Sequence, residues 1–241
     1  MKPACPYEHC LVTNRNRSRT RRSAAFTQAD LLALVAGILV LTALVQGPLA
    51  HSRRAAHQAR CEANLKEVNR AVNSFAEENG KVLPGPIPEQ TGELQWWYKE
   101  QVKHFLGLTG ASSTNDLAFA CPDDRGYSDP RPFHLTDRFD YGSYVYNGVL
   151  LPGLPGIAGL PTSAIKQPAR TLLMMEWTAH APLSWHHSRT GRRNAPFYRD
   201  AESVTGFVDG HVALTKIYYD GYNAAYTQDP IAGYDYQYSP N

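Results

Sequence analysis

Phe26-Thr27-Gln28-Ala29-Asp30-Leu31-Leu32-Ala33-Leu34-Val35-Ala36-Gly37-Ile38-Leu39-Val40-Leu41-Thr42-Ala43-Leu44-Val45 is the stretch that decides the fold. From Phe26 to Ala50 the only charged residue is Asp30. As a helix this segment measures about 37 Å at about 1.5 Å per residue, enough to cross a hydrocarbon core of about 30 Å. Residues 26–50 are therefore expected to form a membrane-spanning helix. Upstream, Lys2, Arg15, Arg17, Arg19, Arg21 and Arg22 face a single acid, Glu8, with no apolar periodicity. Residues 1–25 read as a basic leader that stays cytoplasmic, although Arg53, Arg54 and Arg60 beyond the span weaken the charge asymmetry.

The rest of the composition fits one anchor with a soluble domain behind it. The 241 residues are 43% hydrophobic and 19% charged, so the chain as a whole is not disordered. A net charge of +2 excludes a uniformly basic nucleic-acid binder, and four cysteines are too few for a disulfide-dense scaffold. A single long apolar run excludes a multi-span transporter.

Three readings of the N-terminus compete. A secretory signal peptide is cut after its apolar run at a small-x-small site, and Pro48-Leu49-Ala50 makes a poor one. Arg21-Arg22 suggests a twin-arginine signal, but the apolar run is too long for it. The third reading uses Ser23-Ala24-Ala25, which precede the run on the cytoplasmic side. Cleavage between Ala25 and Phe26 removes the leader and keeps the anchor. Asp30 bears on the choice, because a carboxylate in a membrane helix costs about 2.5–3.5 kcal/mol at the centre and less near the edge. A new amine on Phe26, one helical turn away in the same or a neighbouring subunit, answers that charge. The plainer alternative places Asp30 at the interface, in contact with water.

Ala25-Phe26-Thr27-Gln28-Ala29-Asp30-Leu31-Leu32 resembles the N-terminus of type IV prepilins and pseudopilins, with Ala25 where the family usually has Gly and Asp30 where it has Glu. The resemblance implies cleavage between Ala25 and Phe26, N-methylation of Phe26, and Asp30 as the assembly residue. A subfamily resemblance continues through Arg60-Cys61-Glu62-Ala63-Asn64-Leu65-Lys66, Cys121-Pro122, Ser143-Tyr144-Val145-Tyr146-Asn147 and Asp209-Gly210-His211. That subfamily carries a His nine residues before its Asp-Gly. Here Arg199 stands near that place, and His186 and His187 lie farther back. The implied fold is α+β and pilin-like, a long N-terminal helix packed on a small antiparallel sheet. The implied partners are other pilin-like subunits in homo- or hetero-oligomers, prepilin peptidase, an inner-membrane assembly platform and membrane lipid. The C-terminal domain is then periplasmic or extracellular, and no nucleic-acid partner is expected.

Beyond the span, Gly47-Pro48 predicts a kink or local melting. Leu65, Val68, Val72 and Phe75 then form an amphipathic stripe over residues 51–80, stopped at Asn79-Gly80. Residues 81–218 read as the globular domain. Thr91 is placed to cap a helix through Leu94, Trp97, Tyr98, Val102 and Phe105. Short strands are expected at Leu117–Ala120, Tyr141–Tyr146 and Thr171–Trp177. Ser203–Val208 and His211–Ile217, joined by Asp209-Gly210, predict a hairpin with a type I′ turn. That makes Asp209-Gly210-His211 a turn in preference to a catalytic motif. The tail, 219–241, continues a run of seven tyrosines that begins at Tyr218. Two readings stand for it: a cover on the sheet or a neighbour, or a loosely ordered end.

Cys61 and Cys121 both fall outside the cytoplasm on this topology, where a disulfide is permitted; two buried thiols are the alternative. Cys5 and Cys10, with His9, are too few for a zinc site. No cofactor is expected, with structural calcium at Asp123-Asp124 the one ion considered. The competing functional class is a membrane-tethered enzyme or binding domain that does not polymerise. Its material is His180, His186, His187, His211, Glu176 and Asp209, without any metal-ligand, nucleophile-elbow or P-loop motif around them. Arg189, Arg192 and Arg193 read as a solvated basic loop.

Overall fold

The computed structural model describes residues 27–87, 94–127, 131–150, 152–186, 198–219 and 225–241. Ala25, Phe26, Thr91, His187, the Arg189–Arg193 cluster and the leader lie outside them. By its internal contacts the chain divides after Pro48 into a helical segment and a globular unit, Leu49–Asn241.

Helix α1 runs from Gln28 to Glu78 and belongs to both parts. Its start is a capping box: the Asp30 amide donates to Thr27 Oγ1 at 3.2 Å, and Asp30 Oδ2 accepts from the Thr27 amide at 3.0 Å and hydroxyl at 2.8 Å. The helix is unbroken at Pro48, so the local melting expected there does not occur. The C-terminus follows expectation. Gly80 and Lys81 take left-handed φ values of 65° and 66°, and the Lys81 amide bonds the Ala76 carbonyl at 2.7 Å.

From Cys61 onward α1 buries Asn64, Leu65, Val68, Asn69, Ala71, Val72 and Ala76, while Phe75 of the expected stripe is half-buried. Against it lies a four-stranded antiparallel sheet in the order β1-β2-β3-β4: β1 Tyr144–Tyr146, β2 Leu172–Glu176, β3 Glu202–Phe207 and β4 Val212–Lys216. Val145 pairs with Met175, Met175 with Thr205 and Thr205 with Ala213. Helix and sheet meet at Gly206, where a Cβ would sit 2.9 Å from Asn69 Cγ. The Asn69 amide also donates to the Phe207 carbonyl at 3.0 Å. Only a residue without a side chain admits that approach.

Three local expectations are corrected. Leu117–Phe119 is a 3₁₀ turn, not a strand. The Ser113–Asp116 turn feeds into it, and the Asn64 amide takes the Leu117 and Ala120 carbonyls that a strand would have offered to a neighbour. In α2, Leu94–Val102, the buried tryptophan is Trp96 rather than Trp97, and Lys103–Leu106 continue as a 3₁₀ turn. The β3–β4 connection is not a two-residue type I′ turn. The Gly210 amide bonds the Phe207 carbonyl, the Phe207 amide bonds the His211 carbonyl, and of the loop residues only Gly210 has positive φ. Type I′ needs positive φ at both central residues, so this is a three-residue loop closed by a glycine bulge.

Within the described residues, the C-terminal stretch is part of the fold rather than a loose end. The Leu172 amide bonds the Gln237 carbonyl, and the Gln237 amide bonds the Arg170 carbonyl. Tyr236 and Tyr238 are buried, and the Asn147 amide links the Leu172 and Tyr238 carbonyls.

Candidate functional site

The largest concentration of chemistry lies where α1 meets the end of β2. Cys61, on α1, is bonded to Cys121, with Cα atoms 4.8 Å apart. Both cysteines are fully buried. The Cys121 amide donates to Ser143 Oγ, and that hydroxyl donates to Asp124 Oδ2 at 2.7 Å. Asp124 also accepts from the Gly126 and His134 amides, so the loop carrying Cys121 is tied from its own carboxylate.

His186 lies over the disulfide, its Nε2 3.9 Å from Cys121 Sγ. The same nitrogen is 2.7 Å from Glu176 Oε1, and Nδ1 is 3.0 Å from Asp123 Oδ2. Glu176 ends β2, is fully buried, and accepts the Val204 amide through Oε2 at 2.9 Å. Arg125 fixes the His186 loop by donating to the carbonyls of Ser184 and Trp185. Both nitrogens of His186 face carboxylates, an arrangement that the imidazolium form satisfies by donating twice. Burial pulls the His186 pKa down; the hydrogen bond and charge of Glu176, then those of Asp123, outweigh it and raise it above the ordinary value.

Asp123 Oδ1 takes a second imidazole, His57 of α1, at 3.0 Å. Together His57, Asp123, Arg54, Arg125, Tyr198 and His186 line a cleft of about 540 Å³. The sequence reading named His186 and Glu176 but missed His57 and Asp123 as their companions. The signal was faint: His57 stands one turn before Cys61 and Asp123 two residues after Cys121, so the disulfide carries both along.

The other expected sites separate. His180 is buried beside Trp177 and Tyr238, and burial lowers its pKa to about 4. His211 bonds Asp209 Oδ1 through Nδ1 at 2.6 Å and stacks on Phe207 at 4.1 Å, so Asp209-Gly210-His211 is a self-contained exposed turn. Asp123 and Asp124 engage different partners, His57 and His186 for one, His134, Ser143 and Gly126 for the other. They do not form a shared oxygen cage for calcium. Among the described residues, the side chains whose ligand atoms converge closely enough for a metal are Cys61, Cys121, Glu176 and His186, all within 4.8 Å of one another. Asp30 holds Thr27, as described above.

Comparison of the chain with models of known protein families, with curated proteins and with solved structures finds no match.

Proposed function

We propose that the chain is a prepilin-like, or pseudopilin, subunit whose task is assembly. The observation that carries this reading is the exposed apolar half of α1. Leu31, Leu32, Ile38, Leu39, Leu41 and Leu44 are each more than half exposed, and the helix is long and apolar enough to cross a membrane. Such a surface is stable only in lipid or against other apolar helices. The antiparallel sheet on the later half of the same helix, and the disulfide tying that helix to the Cys121 loop, agree with the motif resemblance.

On this reading the mature chain begins at Phe26, waits in the inner membrane, and leaves it by stacking its apolar helix into a filament. Asp30 then serves twice. Within the subunit it caps the helix start through Oδ2. In the filament its other oxygen accepts a neighbour's terminal ammonium, and a subunit out of register leaves that charge unpaired in a low-dielectric core. The tethered-enzyme alternative draws on the meeting of His186 with Glu176. In the disulfide-bonded chain, however, both His186 nitrogens face carboxylates of the protein itself, so neither is presented to a substrate.

Mass spectrometry of the native membrane form tests the processing: an N-methylated Phe26 terminus is expected, and one at Met1 or after Ala50 overturns it. Asp30→Ala tests the pairing. Membrane insertion should persist while incorporation into filaments is lost; unchanged incorporation removes the role given to Asp30.

A further inference from the structure

We infer that Cys61, Cys121, His186 and Glu176 form a zinc-class metal site in the reduced chain, for which the disulfide is the oxidised alternative. Three observations carry this independently of the filament reading. The first is the ligand set. Two thiolates, one imidazole and one carboxylate are the donors that Zn²⁺ takes in four-coordinate sites. Zinc–sulfur bonds of about 2.3 Å and zinc–nitrogen bonds of about 2.0–2.1 Å place ligand atoms roughly 3.3–3.8 Å apart in a tetrahedron. His186 Nε2 already lies 3.9 Å from Cys121 Sγ, and all four ligand atoms fit within 4.8 Å.

The second observation is the support around them. A metal-bound histidine nearly always gives its other N–H to a carboxylate or carbonyl, and ligating carboxylates are themselves held by hydrogen bonds. His186 has Asp123 on Nδ1, and Glu176 has the Val204 amide on Oε2. The atoms left to the interior, Nε2 and Oε1, are the two that face the sulfurs' side of the site. The third is access: the cleft lined by His57, Asp123 and Arg125 has His186 in its wall and leads in from solvent.

The chemistry balances. The S–S bond takes two electrons and two protons from an external dithiol, which becomes a disulfide, and leaves two thiols. Binding one Zn²⁺ then releases the two thiol protons as the sulfurs ligate as thiolates, and any proton that Nε2 of His186 carries. The metal would join the two elements that the disulfide joins, α1 and the Cys121 loop, and add the end of β2 and the His186 loop. The fold is thus pinned before oxidation as well as after it.

The test uses the full chain in detergent with Cys5→Ser and Cys10→Ser, so that the leader thiols make no contribution. After anaerobic reduction with a phosphine, Co²⁺ should bind one per chain with thiolate charge-transfer absorption and intense tetrahedral ligand-field bands, and Zn²⁺ should displace it. The oxidised chain should bind none. His186→Asn and Glu176→Gln should each weaken binding tenfold or more, and Asp123→Asn, outside the metal shell, about tenfold. Proton release on adding Zn²⁺ to the reduced parent chain gives a readout that no variant's folding can confuse. Two or more protons per ion support ligation by both sulfurs, and a release of none overturns it. Failure of the reduced chain to bind, or affinity unchanged in the His186 and Glu176 variants, overturns the proposal.

Discussion

The two halves of α1 obey the same helical geometry and answer to different solvents. From Gln28 to His57 every side chain is exposed, whereas between Cys61 and Ala76 one face is buried against the sheet. The later half is patterned, with apolar residues on one stripe and Glu67, Arg70, Glu77 and Glu78 elsewhere. The earlier half holds a run, Leu31 to Val45, that carries no charge on any side. A stripe specifies one protein neighbour; an all-round apolar surface specifies a medium, or many equivalent copies of itself. The difference teaches that one continuous helix can present a face matched to a protein neighbour over one stretch and, over another, a surface long and apolar enough to cross a membrane.

Changes in either half should therefore register in different measurements. Leu65→Ala, in the patterned half, should destabilise the globular unit by about 2–5 kcal/mol in denaturant unfolding and leave membrane association alone. A loss under about 1 kcal/mol would mean that α1 is not held by the sheet. Leu39→Arg, in the other half, should cost about 2.5–3.5 kcal/mol of insertion, read as a shift from the membrane fraction. Its unfolding midpoint should match the parent chain, and a lowered one would break the division between the halves.

Acidification offers a smaller, sharper probe, because it should act only on the globular unit. Burial depresses His180 to about 4, so the unfolded chain takes up its proton first and stability falls as pH drops below about 6.5. Between pH 7 and pH 5 the advantage of the parent chain over His180→Gln should shrink by about 2 kcal/mol. Asp140 runs the other way. Burial, opposed by the Lys99 charge, raises it to about 6, so its ionisation above that pH is a cost to the fold. Over the same interval the parent chain should gain about 1 kcal/mol relative to Asp140→Asn. Equal pH profiles for parent and variants would contradict these burial effects.

Much of the fold was legible because it is periodic. The apolar run, the Leu65–Val72 stripe, the Asn79-Gly80 stop, and the strands at Leu172–Glu176 and on either side of Asp209-Gly210 all announce themselves locally. What escaped depends on partners distant in the chain. Leu117–Phe119 has strand composition, but its Leu117 carbonyl is claimed by Asn64, 53 residues earlier. Lys99 looks like a surface residue of α2. It is instead fully buried, with Asp116 at 2.9 Å, the Asp140 carbonyl at 2.6 Å and the Phe119 ring beneath it. The Thr27–Asp30 box was the opposite case. Its T-x-x-D spacing is a local cap signal, hidden behind the question of what answers the charge of Asp30. At the candidate site, His186 and Glu176 were noticed by residue type, but nothing in the spacing brings His57 and Asp123 to them.

The bonds between Gln237 and the residues on either side of Thr171 have a consequence for biogenesis. The amide of Leu172, which opens the strand Leu172–Glu176, finds its acceptor on Gln237, and Tyr238 fills space beside Ala179. A nascent polypeptide cannot complete this unit while translation or export is still short of Gln237. Until then the Leu172 amide lacks its acceptor and the Asn147 side chain lacks one of its two.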